Sequence, residues 1–129
     1  MFDETVALDF SKLGGLAPVV MQHRETREVL MVGFVDEEAW EQTLRTGLVT
    51  LFRRTLQRVQ VKGADDGSCV RVERIVVDCD NDSVLLEVLS EGPVCHFGGP
   101  TCFIRPFEEL AQASDGDSGQ QAADRRPMP

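Results

Sequence analysis

Cys69-Val70-Arg71-Val72-Glu73-Arg74-Ile75-Val76-Val77-Asp78-Cys79-Asp80-Asn81-Asp82-Ser83-Val84-Leu85-Leu86-Glu87-Val88-Leu89 is the stretch that decides the fold class. In extended chain, successive side chains point to opposite faces. Val70 and Val72 therefore share one face and Arg71 and Glu73 the other, before Ile75-Val76-Val77 enters a more buried run. Val84–Leu89 reads as the partner strand, which puts Asp78-Cys79-Asp80-Asn81-Asp82 at the bend between two strands.

Working outward, residues 17–22 and 29–35 are apolar runs joined by a polar turn of about five residues, the pattern of a hairpin. Asp36 then reads as a helix N-cap. Glu37 and Glu38 suit the positive end of the helix dipole, Ala39, Trp40, Thr43 and Leu44 recur at helical spacing, and Gly47 ends the segment. Residues 48–53 and 59–61 are predicted strands, and the glycines and aspartates of residues 63–68 predict a loop. The apolar pattern is mostly of period two. The expected fold is thus α+β, predominantly β: one small domain over residues 1–110 with one principal helix, followed by a disordered tail over 111–129.

The chain has 129 residues, enough for a real core but not for separate cofactor and substrate domains. Acids outnumber bases by 22 to 13, for a net charge of −9, which argues against a general nucleic-acid partner. No apolar run is long enough to span a bilayer, and no secretion-type segment opens the chain, so a cytoplasmic protein without a membrane partner is expected. In that compartment the four cysteines are expected as thiols or metal ligands. Arg53, Arg54, Arg58, Lys62, Arg71 and Arg74 gather in one stretch; they suit a phosphorylated small molecule, or form a solvated basic face.

Two constellations carry chemistry. A tight bend after Asp80 would swing Asp82 back beside Asp78 and Asp80, giving three oxygen donors for Mg²⁺; the same residues also make an ordinary acidic turn. An EF-hand is excluded, because Ser83 and Leu89 stand where Gly and Glu are needed. Cys79, Cys95 and Cys102, sixteen and seven residues apart, match no common zinc finger. Three thiolates leave a tetrahedral zinc one open position, as catalysis requires. Buried free cysteines, or a four-thiolate structural zinc completed by Cys69, are the alternatives. His96 directly follows Cys95 and reads as a proton-transfer residue, with a fourth ligand or a neutral hydrogen-bonding histidine as alternatives. His23 is expected to be exposed and silent.

At these residues the chain resembles the phosphoribosyl-AMP cyclohydrolases. The resemblance runs over residues 13–105 through Gly15-Leu16, Glu28-Val29-Leu30-Met31, Asp36-Glu37-Glu38-Ala39, Lys62-Gly63, Asp78-Cys79-Asp80-Asn81-Asp82, Cys95-His96 and Thr101-Cys102-Phe103. It implies a histidine-biosynthesis hydrolase that opens the N1–C6 bond of the substrate's adenine ring. It also implies an intertwined homodimer, with zinc held by Cys79, Cys95 and Cys102, Cys79 being lent across the interface, and Mg²⁺ held by Asp78, Asp80 and Asp82. Hydroxide formed at the zinc would attack C6, with Arg53, Arg54 and Lys62 as substrate contacts. The family's usual Lys-Gly-Glu-Thr-Ser-Gly loop is here Lys62-Gly63-Ala64-Asp65-Asp66-Gly67; Gln60 replaces an aromatic, Gly99-Pro100 replaces an Arg pair, and Arg53-Arg54-Thr55 replaces Ser-Arg-Ser. These departures keep two alternatives open: a paralogue that hydrolyses a C–N bond of another heterocycle, and a non-catalytic zinc-binding protein.

Overall fold

The computed structural model describes residues 1–64, 67–90, 94 and 99–113. Strands β1 (Ala17–His23) and β2 (Val29–Val35) lead into helix α1 (Glu37–Thr46). Strands β3 (Thr50–Arg53), β4 (Arg58–Val61), β5 (Arg71–Val77) and β6 (Val84–Leu89) follow, and α2 (Phe107–Ala113) comes last. A domain of mostly strands with one principal helix is what the period-two pattern predicts. The predicted limit after residue 110 falls inside α2, and residues 114–129 lie outside the described residues.

Local signals place α1. The Asp36 carboxylate accepts from the Ala39 amide at 2.8 Å, and Gly47 closes the helix in the left-handed region (φ 76°) with its N–H on the Thr43 carbonyl at 2.9 Å. Ala39, Trp40, Thr43 and Leu44 are its buried face, as their spacing predicts. Thr43 ties that face to β3: the Thr50 amide donates to its Oγ1 at 3.1 Å, and the same hydroxyl reaches the Ala39 carbonyl at 2.9 Å. The indole of Trp40 donates to the Val6 carbonyl at 2.8 Å, which holds the N-terminal segment against the helix.

The main sheet has the order β2-β1-β6-β5. The β1–β2 hairpin and the β5–β6 pair are antiparallel, as predicted, and β6 joins them by pairing parallel to β1 from Val19↔Val84 to His23↔Val88. Strands β3 and β4 form a separate two-stranded sheet. Residues 48–49, predicted as part of a strand with 50–53, instead cross between the sheets: Leu48 bridges Arg71, and Val49 donates to Val70 and accepts from Lys62.

Ala17, Val19 and Met21 of β1 and Val84, Leu86 and Val88 of β6 are buried on one face of the main sheet. β3 packs on that face, where a Cβ on Gly33 would stand 3.2 Å from the Leu51 side chain. By alternation the opposite face carries Pro18, Val20, Val32, Phe34, Val76 and Leu85, all half-buried.

Candidate metal and substrate site

Residues 78–83 turn tightly at the end of β5. Asp78 Oδ1 accepts from the amides of Asp82 (2.9 Å) and Ser83 (3.1 Å), and the Asp78 amide donates to the Ser83 carbonyl at 3.0 Å. These amides, Asp82's first, hold the Asp78 carboxyl below its usual range. Asn81 supplies the reversal with φ 64°, a left-handed conformation that Asn tolerates better than most residues. The bend turns Asp82 back toward Asp80 and Asp78. Asp80 Oδ2 and Asp82 Oδ2 converge on one cation, the Lys12 ammonium, at 3.7 and 2.9 Å. Asp78 Oδ1 serves the loop's own amides, while its carboxyl also meets the Asp82 side chain.

Cys79 is exposed on this turn, with its thiol 3.7 Å from Asp80 Oδ1. Cys102 is exposed too, but at another corner. Its amide donates to the Leu30 carbonyl at 2.7 Å, while the buried Thr101 hydroxyl donates to the Val29 carbonyl at 2.8 Å. Cys79 thus follows the end of β5 that pairs with the start of β6, on one edge of the sheet; Cys102 sits on the start of β2, on the other edge and at the other end. Three strand spacings and four to five residues of rise put them roughly 20 Å apart, whereas sulfurs on one tetrahedral ion lie within about 4 Å. Cys69 precedes β5 and Cys79 follows it, so a whole strand separates those two as well. Among the described residues, no group of three or more Cys, His, Asp or Glu could hold a metal within one chain. Cys95 and His96 lie outside the described residues, as do Asp65 and Asp66; a Val94 to Gly99 backbone hydrogen bond of 3.0 Å stands on either side of residues 95–98.

The basic candidates sit on and around β3–β4. Arg53 donates to the Gln60 side chain at 2.8 Å, and the Arg54 guanidinium lies 4.2 Å above the Phe34 ring. Arg54 Nε is buried without a hydrogen-bond partner among the described residues. Lys62 is half-buried beyond β4, its amide on the Val49 carbonyl at 2.8 Å. His23 is half-buried, not exposed as expected, and its Nδ1 accepts from the Glu25 and Thr26 amides to cap the hairpin turn.

Sequence reading missed two charged groups. Lys12 lies far from the aspartates along the chain, and no local pattern links them. Glu87, on the strand predicted as an ordinary partner, is 1% exposed and takes ion pairs from Arg24, Arg27 and Arg74. A lone acid in the middle of an apolar strand was the available signal.

The structure is a small β-rich α+β domain with exposed thiols and carboxylates on its turns. The phosphoribosyl-AMP cyclohydrolase family profile matches residues 31–104. The chain is 47% identical over 102 residues to the "Histidine biosynthesis bifunctional protein HisIE" of Bacteroides thetaiotaomicron, covering 79% of this chain and 50% of that protein. It is 44% identical over 117 residues to the protein of the same name from Staphylococcus aureus, covering 88% and 54%. It is also 46% identical over 101 residues to the "Phosphoribosyl-AMP cyclohydrolase" of Desulforapulum autotrophicum, covering 78% and 81%. The chain belongs to the phosphoribosyl-AMP cyclohydrolase family. It spans about half the length of the bifunctional relatives.

Proposed function

We propose that this chain hydrolyses the N1–C6 bond of phosphoribosyl-AMP in histidine biosynthesis. Water oxygen joins C6 and becomes its carbonyl oxygen, the C6–N1 bond breaks, and water's two protons end on N1 and on the exocyclic nitrogen of C6. Cys79, Cys95 and Cys102 would hold zinc, and Asp78, Asp80 and Asp82 would hold Mg²⁺, one Asp78 oxygen also fixing their loop. Bound zinc supplies a Lewis acid that makes water nucleophilic near neutral pH. His96 moves the proton. Arg53, Arg54 and Lys62 bind substrate phosphate, and the unpartnered Arg54 Nε offers a donor held in place by Phe34.

The observation that carries this reading is the family match over residues 31–104, with 46% identity to a phosphoribosyl-AMP cyclohydrolase. Cys79 and Cys102 are both exposed, but they stand too far apart within one chain to share an ion. A homodimer in which Cys79 of one subunit meets Cys95 and Cys102 of the other reconciles the thiol set with that distance. The apolar outer face of the sheet and exposed Phe103, Ile104 and Phe107 beyond Cys102 supply surface for such an interface. Subunit mixing tests it. Cys79→Ala and Cys102→Ala proteins are each expected to be inactive, and an equimolar mixture, after exchange, should recover about a quarter of wild-type turnover through one intact site per mixed dimer. No recovery, with mixed dimers demonstrated, would refute the shared site.

The altered loop favours a second reading. Asp65 and Asp66, where the family usually has hydroxyl residues, follow Lys62 in the chain by three and four residues, and two negative charges in that loop would oppose a phosphate. Metal-replete protein that fails to turn over phosphoribosyl-AMP, and a gene that fails to rescue a histidine auxotroph, would favour a paralogue acting on a less phosphorylated heterocycle. Four protein ligands on the zinc, with no turnover, would instead favour the non-catalytic zinc protein.

A further inference from the structure

The N-terminal segment straps the aspartate loop to the rest of the domain. At one end Phe2 donates to the Leu44 carbonyl (2.8 Å), Trp40 donates to the Val6 carbonyl, and Leu8 is buried. At the other end Asn81 Nδ2 donates to the Ala7 carbonyl and the Asp9 amide donates to the Asn81 carbonyl, both at 2.7 Å. Asp9 Oδ1 then accepts from the Ser11 amide (2.9 Å) and hydroxyl (2.6 Å), a turn that brings Lys12 back over the loop. Lys12 is therefore delivered to Asp80 and Asp82 by fixed backbone.

From this geometry we infer that Lys12 is a tethered counter-ion, standing where a divalent cation bridging Asp80 and Asp82 would sit, and that it sets the loop's affinity for such a cation. The inference rests on reading the loop as a divalent-cation site. Two carboxylates that converge repel each other until a positive charge joins them, and the chain supplies one of its own. A divalent ion must displace the ammonium or bind against its like charge. Displacement is feasible, because the Lys12 side chain is 49% exposed and its pair with Asp80 opens to water; the shorter pair with Asp82, 21% exposed, is the one a cation must break. Coupling is reciprocal: a bound cation that expels Lys12 also removes one of the strap's three attachments to the loop.

The test is Mn²⁺ binding to zinc-replete, full-length protein, followed by loss of the free-ion electron paramagnetic resonance signal. Lys12→Met should bind Mn²⁺ at least about fivefold more tightly than wild type, Lys12→Arg should stay near wild type, and Asp82→Asn should lose the binding. Circular dichroism melting confirms that each variant is folded, and Lys12→Gln serves as a second neutral replacement. Equal affinity in wild type, Lys12→Met and Lys12→Gln overturns the role of Lys12 and leaves the loop as a cation site. Absence of Asp82-dependent Mn²⁺ binding in all of them overturns both the inference and the cation reading, and the cyclohydrolase reading remains to be judged by turnover.

Discussion

Carboxylates meet basic side chains at both ends of the main sheet, with opposite consequences. At one end Asp80 and Asp82 face a single lysine, with Asp80 open to water and Asp82 half-buried. At the other, Glu87 is 1% exposed and is gripped by Arg74 at 2.9 Å, by Arg24 and, at 3.4 Å, by Arg27, which together join the β1–β2 turn to β5 and β6. The chemistry is the same in kind, and burial separates the roles. A buried carboxylate without its partners would be very costly, so those partners become structure. Exposed carboxylates exchange counter-ions readily and are free to serve a ligand.

The contrast makes predictions that can be ranked by size. The largest effect is expected from Glu87→Leu, which leaves three arginines clustered around an apolar side chain; the thermal midpoint should fall by more than about 10 °C. A fall under about 2 °C would mean that the arginines relax into solvent and the hub is not structural. Next comes Asn81→Ala, which removes one hydrogen bond to the strap and puts Ala into a left-handed conformation. Urea unfolding should show a loss of about 2 kcal/mol.

A smaller effect is the pH dependence of stability. Burial pushes the Glu87 carboxyl up, but hydrogen bonds from Arg24 and Arg74 and the charges of Arg27 and Arg74 outweigh it and hold the group below the usual value of 4.5. A lowered folded value means that the stabilisation is complete above about 4.5 and is lost as pH falls through the folded value. Denaturant midpoints measured from pH 6 downward should therefore fall less steeply in Glu87→Gln than in wild type. The Lys12 ammonium is shifted upward, chiefly by its hydrogen bond to Asp82, so its contribution persists to high pH and is lost only above 10.5. The smallest effect is expected from Lys12→Met, whose melting temperature should stay within about 2 °C of wild type. A large drop there would erase the distinction between the two sheet ends.

Local patterns carried much of the architecture. The caps of α1, the hairpin and the bend after Val77 could be read directly, because each depends on side chains within a few residues of the backbone they shape. The Asp78-to-Asp82 motif was legible as a turn that brings Asp82 back, since Asn81 readily adopts the required conformation. That one Asp78 oxygen would cap the turn was not legible, because the loop's amides reach it only once the loop has closed.

Composition, alternation and motif order were sufficient for the β-rich class, the principal helix and the family, since all of these act over short stretches of chain. Three features emerged only when distant segments met: the parallel pairing of β1 with β6, the approach of Lys12 to Asp80 and Asp82, and the wide separation of Cys79 from Cys102. Each depends on which strands share a sheet and in what register. Many strand orders satisfy the same alternating pattern, and burial of the shared core selects among them.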